Sequence, residues 1–150
     1  MKIKYDNQEN EWAEYAKKRG KNNHSERWLR KNTLDYWRHH RMLSKLDLFI
    51  KKGEKWLTIG DGRYGTEAHY IISNGASALA TDYSDKLLKI GKDIGFINDY
   101  QKENAESLSF QDNEFDYVLI KEAFHHFPRP WIALYEAFRV CKKRCYFNRT

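Results

Sequence analysis

The sequence predicts an α/β fold built on a doubly wound, mostly parallel sheet. Two observations indicate this fold: apolar runs of strand length alternate with amphipathic stretches of helix length, and glycine-containing or polar turns separate them. The clearest apolar runs are KWLTIG (55–60) and FDYVLIK (115–121). Ligands of such sheets bind at the carboxyl ends of the strands, so the segments that directly follow each strand are the candidate functional ones.

The other elements follow from helical periodicity, caps and turn residues. Three further strands are expected at 77–82, within 96–102 and at 144–148. The expected helices run from Ser25 to about Gly53, over 66–75 with Asn74-Gly75 as the stop, from Ser84 or Asp85 to Gly95, and over 129–143. The chain is thus expected to end with its fifth strand.

Charge divides the chain into two parts. Residues 1–55 hold 15 Lys and Arg against 8 Asp and Glu, whereas the rest of the chain holds 12 against 13. We therefore assign 1–54 to a basic N-terminal helical segment and 55–150 to an α/β core. The segment also carries aromatic residues, but no nucleic-acid-binding motif accompanies them, so we do not expect a nucleic-acid partner.

Composition excludes several classes of protein. The longest apolar runs are a handful of residues, too short to span a membrane, and the start lacks the apolar stretch of a secretory signal. Cys141 and Cys145 are the only cysteines, and without companion ligands they predict no metal site. We expect reduced thiols and a cytoplasmic location.

Two features near the first strands indicate an adenosine-bearing ligand. Gly60, Gly62 and Gly65 form a G-x-G-x-x-G loop directly after the first strand, where glycines allow the backbone to approach a ligand. Asp82 ends the second strand, where a carboxylate can accept hydrogen bonds from ribose hydroxyls. A structural turn and a helix cap explain the same residues without a ligand, and neither feature separates NAD from other adenosine cofactors.

Motifs later in the chain distinguish between these cofactors. NAESLSF (104–110), then QDNEFD (111–116), then EAFHHFPRPWIALYEAFRV (122–140) resembles the class I S-adenosylmethionine-dependent methyltransferases, specifically their type-11 group. The resemblance covers about residues 55–145 and implies a Rossmann-like core with S-adenosyl-L-methionine as cofactor. The residues it places at the cofactor are Gly60, Asp61, Gly62, Gly65, Asp82, Tyr83, Asn104, Ala105, Glu106 and Lys121.

The glycine loop departs from the family pattern in two ways. Thr58 occupies a position that is usually acidic, and the spacing after Gly62 is one residue longer. These departures concern the contact to the amino-acid end of the methyl donor, for which Asp61 is a substitute. A carboxylate at Asp61 would also repel a pyrophosphate and tolerate a cationic ligand.

The implied reaction is direct transfer of a methyl group to an acceptor nucleophile, with a small molecule as the expected acceptor. His125 and His126 follow the fourth strand and are candidate general bases, and Glu122 is a similar candidate. A structural role in the loop explains all three equally simply. The N-terminal segment is a candidate lid, in which Tyr36, Trp37 and Arg38 are of interest.

The family fold has seven strands, whereas this sequence predicts five, so we expect a chain truncated at its C-terminus. An open edge on the fifth strand then favours a partner or second copy that covers it. Two alternatives to an active methyltransferase remain. One is a non-catalytic, methyltransferase-like binding or partner protein, and the other is a nicotinamide-dependent oxidoreductase, which only the literal G-x-G-x-x-G favours.

Overall fold

A computed structural model describes residues 29–148 of the chain. The described part contains five strands: β1 (Lys55–Ile59), β2 (Ser77–Asp82), β3 (Tyr100–Lys102), β4 (Phe115–Lys121) and β5 (Cys141–Asn148). Its four α-helices are α1 (Leu34–Leu43), α2 (Thr66–Ser73), α3 (Lys86–Asp93) and α4 (Pro130–Val140). Short 3₁₀ helices lie at Ser44–Leu46 and Phe124–His126.

The sheet has the strand order β3-β2-β1-β4-β5, and all four of these pairings are parallel. The doubly wound parallel sheet predicted from the sequence is therefore confirmed. Within residues 29–148, β5 pairs with β4 alone. All the carboxyl ends point the same way, so the loops that leave the strands meet at one edge.

Apolar side chains are buried on both faces of the sheet, which explains why β1 and β4 are continuous apolar runs. Along β4, Val118 and Ile120 pack beneath α4, whereas Leu119 lies in the core under α1 and α2. Trp56 on β1 is completely buried on the α1 side. Each such side chain contributes about 1.5–3 kcal/mol by leaving water.

The first helix is shorter than the sequence predicts. The prediction of a continuous helix from Ser25 is wrong, because α1 begins only after Thr33. Thr33 has an extended backbone, and its hydroxyl caps the helix by accepting the Tyr36 N–H at 3.1 Å. Ser25 itself lies outside the described residues. Leu43 and Leu46 then pack against Trp56, so the end of this N-terminal segment is part of the core.

The last helix also ends earlier than predicted. It stops at Val140, and the three residues predicted to complete it, 141–143, instead begin β5. Cys141 pairs with Phe115 and Arg144 with Tyr117, so β5 carries an extra residue at this point as a bulge. Residues 141–143 form a strand rather than a helix because pairing with β4 satisfies their backbone hydrogen bonds.

The other predicted boundaries are close to the observed ones. Strands β2 and β4 have the predicted limits, and β3 falls inside the predicted range. Helix α2 ends at Ser73 with Asn74 as its C-cap, and Gly75 follows with a φ of 98°, as the Asn-Gly pair predicts. Helix α3 starts after Asp85 and is followed by Gly95, with a φ of 71°.

Candidate functional site

Loops from β1, β2, β3 and β4 converge on the carboxyl edge of the sheet. The residues that the sequence predicts at the cofactor or as bases all lie in these loops or at these strand ends. Across the sheet they follow the order β3, β2, β1 and β4. This edge is the candidate functional site, and a ligand that touches all four loops must run across the strands.

The loop after β1 is held by backbone contacts that require glycine. Gly60 has a φ of 79°, and a Cβ at this position would lie 2.2 Å from the Cβ of Ala123. The loops after β1 and β4 therefore touch at Gly60, with no room for a side chain. The Gly60 and Asp61 N–H groups both donate to the carbonyl of Thr81, at 2.9 and 3.0 Å, which fixes the start of the loop beside β2.

The additional residue of the glycine loop is accommodated by left-handed backbone. Tyr64 has a φ of 63° and Gly65 a φ of 76°, so two consecutive residues turn the chain into α2. The Tyr64 side chain is buried. The backbone carbonyl oxygen of Tyr64 lies so close to Gly91 of α3 that a Cβ on Gly91 would be 2.3 Å from it. The longer spacing thus depends on a second glycine, far away in the sequence, that the motif does not include.

Asp61 caps α2 from inside the protein. Its carboxylate accepts the N–H groups of Glu67 and Ala68 at 3.2 and 2.9 Å and the hydroxyl of Thr58 at 2.9 Å. Burial, followed by the charge of Glu67, raises the pKa of Asp61 well above its usual range. The structure does not support the hypothesis that this carboxylate contacts a ligand, because the residue is only 2% exposed and its oxygens are occupied.

Asp82 lies at the end of β2 beside the glycine loop. Its Oδ1 accepts the Ser84 N–H at 2.9 Å, and a Cβ on Gly62 would lie 2.7 Å from its Oδ2. Burial raises the pKa of Asp82 to about 6, although backbone N–H groups of Ser84, Gly62 and Tyr83 oppose the shift. The causes that dominate this shift are burial and these backbone N–H groups. Further hydroxyl donors at this carboxylate would therefore stabilise its ionised form.

The loop after β3 is ordered by its own polar side chains. The Asn104 side chain accepts the Glu106 N–H at 3.0 Å, which is an Asx turn. Glu106 accepts the N–H and the Nε–H of Arg129, each at 2.7 Å. Its carboxylate therefore holds the segment before α4. Ala105, between Asn104 and Glu106, is buried.

A buried ionic cluster follows β4. The Lys121 ammonium donates to Glu67 at 2.9 Å, to Glu122 at 3.1 Å and to Nδ1 of His39 on α1. Burial acts to raise the pKa of Glu67, but Lys121 outweighs it and holds that pKa well below its usual range. Burial and then Lys121 lower the pKa of His39 to about 4, so its neutral ring accepts a hydrogen bond from the Lys121 ammonium.

Sequence reasoning missed Glu67 and His39. Both lie on helices, and their shared partner Lys121 is 54 residues from Glu67 and 82 residues from His39 in the chain. A carboxylate on the otherwise buried face of α2, next to Ala68, Tyr70 and Ile71, is the one signal that indicates an ion pair there. Lys121 was predicted to contact the cofactor, and the structure places it beneath that edge.

Glu122 leaves β4 in a conformation that is unusual for a glutamate, with a φ of 56°. Its carboxylate lies 3.8 Å from the Arg38 guanidinium on α1 and 3.6 Å from that of Arg63 in the glycine loop. Positive φ at a residue with a side chain costs about 1–3 kcal/mol and concentrates at functional sites. Glu122 thus joins three separate segments at the edge of the sheet.

The two candidate bases are exposed and lie side by side. The rings of His125 and His126 are 3.9 Å apart on the 3₁₀ helix after β4. Burial, His125 and Arg63 together lower the pKa of His126, in that order of size. A neutral imidazole is the form that can accept a proton. On the β2 side, Tyr83 has the Lys102 ammonium 5.7 Å from its ring centroid.

Helix α1 lies against this edge, where Arg38 and His39 contact the residues at the end of β4. Of the three residues of interest, Arg38 approaches Glu122, and Tyr36 packs on His40 with ring centroids 5.6 Å apart. Trp37 is 69% exposed. Among residues 29–148 no helix is long and apolar enough to cross a bilayer, and no group of three or more metal-ligating side chains is found in that range.

Comparison with known proteins identifies similar chains. The ubiquinone/menaquinone biosynthesis C-methyltransferase UbiE of Pasteurella multocida is 29% identical over 102 residues, which is 62% of this chain and 38% of that protein. The demethylmenaquinone methyltransferase of Staphylococcus aureus is 28% identical over 128 residues, or 80% of this chain and 53% of that protein. The chain thus spans about half or less of the length of these relatives.

A solved structure and a family model agree with these relatives. The YcgJ protein from Bacillus subtilis is 27% identical, with a TM-score of 0.63 over 73% of this chain and 50% of that one. The family model described as the methyltransferase domain matches residues 57–147, from β1 to the end of β5. The chain therefore belongs to the methyltransferase domain family.

Proposed function

We propose that the chain binds S-adenosyl-L-methionine at the carboxyl edge of its sheet and takes part in methyl transfer to a small-molecule acceptor. The observation that carries the proposal is Asp82 at the end of β2, with the glycine loop packed against its carboxylate. The family relationship supports it, because the relatives are named as methyltransferases.

The order of the strands gives the ligand a direction. The Asn104 loop follows β3, Asp82 follows β2, the glycine loop follows β1 and Glu122 follows β4. An extended ligand with its ribose on Asp82 would have its base near Asn104 and Ala105 and its other end between β1 and β4. Gly62 leaves space beside Asp82, since a side chain there would collide with the carboxylate.

Asp61 plays no part in choosing the cofactor. The side chain is only 2% exposed and its oxygens bind backbone N–H groups of α2, so its carboxylate does not face the ligand edge. Preference for S-adenosyl-L-methionine over NAD is instead supported by the ordered motifs after β2 and by the family.

The chain contributes orientation and proton transfer. When bound, S-adenosyl-L-methionine supplies an electrophilic methyl group on a sulfonium. Asp82 and the loop after β3 would hold the adenosine, which fixes the position of that methyl group. His126, with its lowered pKa, is the candidate to accept a proton from an acceptor hydroxyl or carbon acid.

A cavity near this edge offers a place for part of the acceptor. It has a volume of about 300 Å³ and is lined mostly by apolar side chains between α1 and the ends of β4 and β5, including Leu43, Leu119 and Tyr146. Lys121 borders it as well. A small, partly apolar acceptor fits this lining. One relative is named for ubiquinone/menaquinone biosynthesis and the other for demethylmenaquinone.

Calorimetric titration tests the proposal. The purified chain is titrated with S-adenosylhomocysteine and with NAD, and an Asp82→Ala variant is titrated in parallel. We expect saturable binding of S-adenosylhomocysteine alone, weakened at least tenfold by the substitution, because a carboxylate that accepts two hydroxyls contributes about 1.5–3 kcal/mol. A folded sample that binds neither ligand would contradict the proposal.

A further inference from the structure

The outer side of α4 carries large aromatic side chains that are open to solvent. Trp131, Tyr135 and Phe138 recur at helical spacing along it and are 76, 67 and 55% exposed. Phe147 on β5 is 42% exposed. Together with Phe124, which contacts two of them, these four residues form what we call the aromatic face. Half of the large apolar side chains that are exposed among residues 29–148 lie on or next to it.

The rings of the aromatic face form one continuous surface. The ring centroid of Phe124 lies 6.5 Å from that of Trp131 and 5.9 Å from that of Phe147. Phe147 in turn lies 6.1 Å from Phe138, and all three pairs meet edge to face. The surface therefore joins α4, β5 and the 3₁₀ helix after β4. A contiguous exposed apolar patch of this kind is typical of a protein interaction site.

The charged side chains next to the aromatic face are balanced within the chain. Arg139 pairs with Glu136 at 2.7 Å and with Asp112 at 2.9 Å. Arg129, just before α4, pairs with Glu106 at 2.7 Å. The whole chain carries a net charge of +6, but two copies that meet at this face would not oppose unbalanced like charges there.

The open edge of β5 is a poorer contact for a second copy. Lys142, Lys143 and Arg144 are consecutive and exposed along this strand. Two such strands paired edge to edge would bring these cations close to their counterparts. Charged side chains, lysine above all, are a common protection of edge strands against pairing. Charge therefore favours α4 over the edge of β5 as the contact.

The area of the aromatic face is sufficient for a weak dimer. A whole aromatic side chain buries about 150–250 Å². At their exposed fractions, the three rings of α4 and that of Phe147 leave about 500 Å² uncovered. Two facing copies would thus bury about 1,000 Å² before other side chains are added, which is the low end for specific interfaces.

We propose that the aromatic face binds the same face of a second copy of this chain, which gives a two-fold symmetric dimer through α4. A two-fold axis places identical patches against each other, so an apolar patch with balanced charges at its border is complementary to itself. The dimer does not depend on the proposed function, since α4 and β5 carry none of the residues proposed to hold the methyl donor.

Sedimentation velocity of the purified chain over a range of concentrations tests the proposal. We expect a monomer–dimer equilibrium with a Kd of about 1–100 µM, because the interface is small. Tyr135→Arg places a cation on each of the two faces, and Trp131→Ser removes the most exposed ring. Each change should weaken the dimer by ~10-fold or more.

Trp37→Ser is the matched control, because Trp37 is also a largely exposed tryptophan, at 69%, but belongs to α1. It should leave the dimer unchanged. Circular dichroism melting checks that each variant is folded, which we expect because all three positions are exposed.

Several results would overturn the assignment. A chain that stays monomeric at every concentration, or that forms oligomers without a limiting size, excludes a second copy as the specific occupant. A dimer that both α4 variants leave intact, or that Trp37→Ser weakens equally, has its contact elsewhere, as at the edge of β5. The expected dimer in a chain that binds no S-adenosylhomocysteine would support this inference while the proposed function fails.

Discussion

The two sides of the carboxyl edge stabilise their acidic groups in opposite ways. Around β2, backbone N–H groups donate to Asp82, and burial raises its pKa to about 6. Around β4, Glu67 is buried as well, but Lys121 holds its pKa well below the usual range. A buried carboxylate therefore stays ionised when an ammonium faces it and becomes protonated more easily when only amides do. In the proposed function Asp82 on the β2 side binds the ligand directly, whereas Glu67 on the β4 side is held by an ion pair within the protein.

Removal of Lys121 should have the largest effect on stability, because it breaks the buried ion pair with Glu67. Lys121→Met leaves Glu67 buried without its ammonium, and we expect a loss of about 3–5 kcal/mol in the free energy of unfolding. Urea denaturation measures it. The double variant Lys121→Met, Glu67→Gln should recover part of the loss, and a double variant as unstable as the single one would contradict an ionic cause.

The glycine loop that lies between the two sides is the next target. Gly60→Ala places a Cβ 2.2 Å from Ala123 at a φ of 79°, so we expect a loss of about 3 kcal/mol or more. Gly53 is a matched control, since its φ is 91° and no atom lies within 4 Å of its would-be Cβ. Gly53→Ala should cost about 1 kcal/mol. Equal costs in thermal denaturation would show that the contact with Ala123 is not tight.

The β2 side should respond to pH. In the proposed complex, ribose hydroxyls would donate to the ionised form of Asp82, so binding would favour the carboxylate over the carboxyl group. Since its pKa in the unliganded chain is about 6, affinity for S-adenosylhomocysteine should be constant above that pH and fall by about tenfold per unit below it. Calorimetry between pH 5 and 8 measures this. In Asp82→Asn the dependence should disappear, and its persistence would assign the titration to another group.

The smallest effect on stability should come from removing a single hydrogen bond that lies away from both Asp82 and the Lys121 cluster. The Tyr70 hydroxyl on α2 donates to Asp47 at 2.6 Å and connects α2 to the segment after α1. Tyr70→Phe should cost about 1–2 kcal/mol in thermal denaturation and leave S-adenosylhomocysteine binding unchanged. A large loss of S-adenosylhomocysteine binding would contradict this prediction and would show that the Tyr70 hydroxyl supports the site.

The sequence predicts the sheet better than the ionic cluster, for a physical reason. Strands β1 and β4 are apolar on both faces, a pattern that depends only on neighbouring residues. By contrast, the pairing of Lys121 with Glu67 and His39 joins three elements that are distant in the chain. The early end of α4 likewise depends on the edge that β4 offers to residues 141–143.

The site was predicted residue by residue with mixed results. Asp82 and the glycine loop occupy the expected edge, whereas Asp61 is turned inward as a cap. From the sequence, an aspartate between two glycines is as suitable for a ligand as for the helix that follows. The difference is decided by the N–H groups at the start of α2, which need an acceptor once they are buried.

Amide chemical-shift mapping with S-adenosylhomocysteine tests the central claim most directly, namely that one ligand runs across the loops after β3, β2, β1 and β4. The predicted result is a set of shifts at Ala105, Tyr83, Gly62 and Glu122, with none at Lys55 and Glu114 on the opposite edge. Shifts confined to another surface, or no shifts at ligand saturation, would contradict the claim.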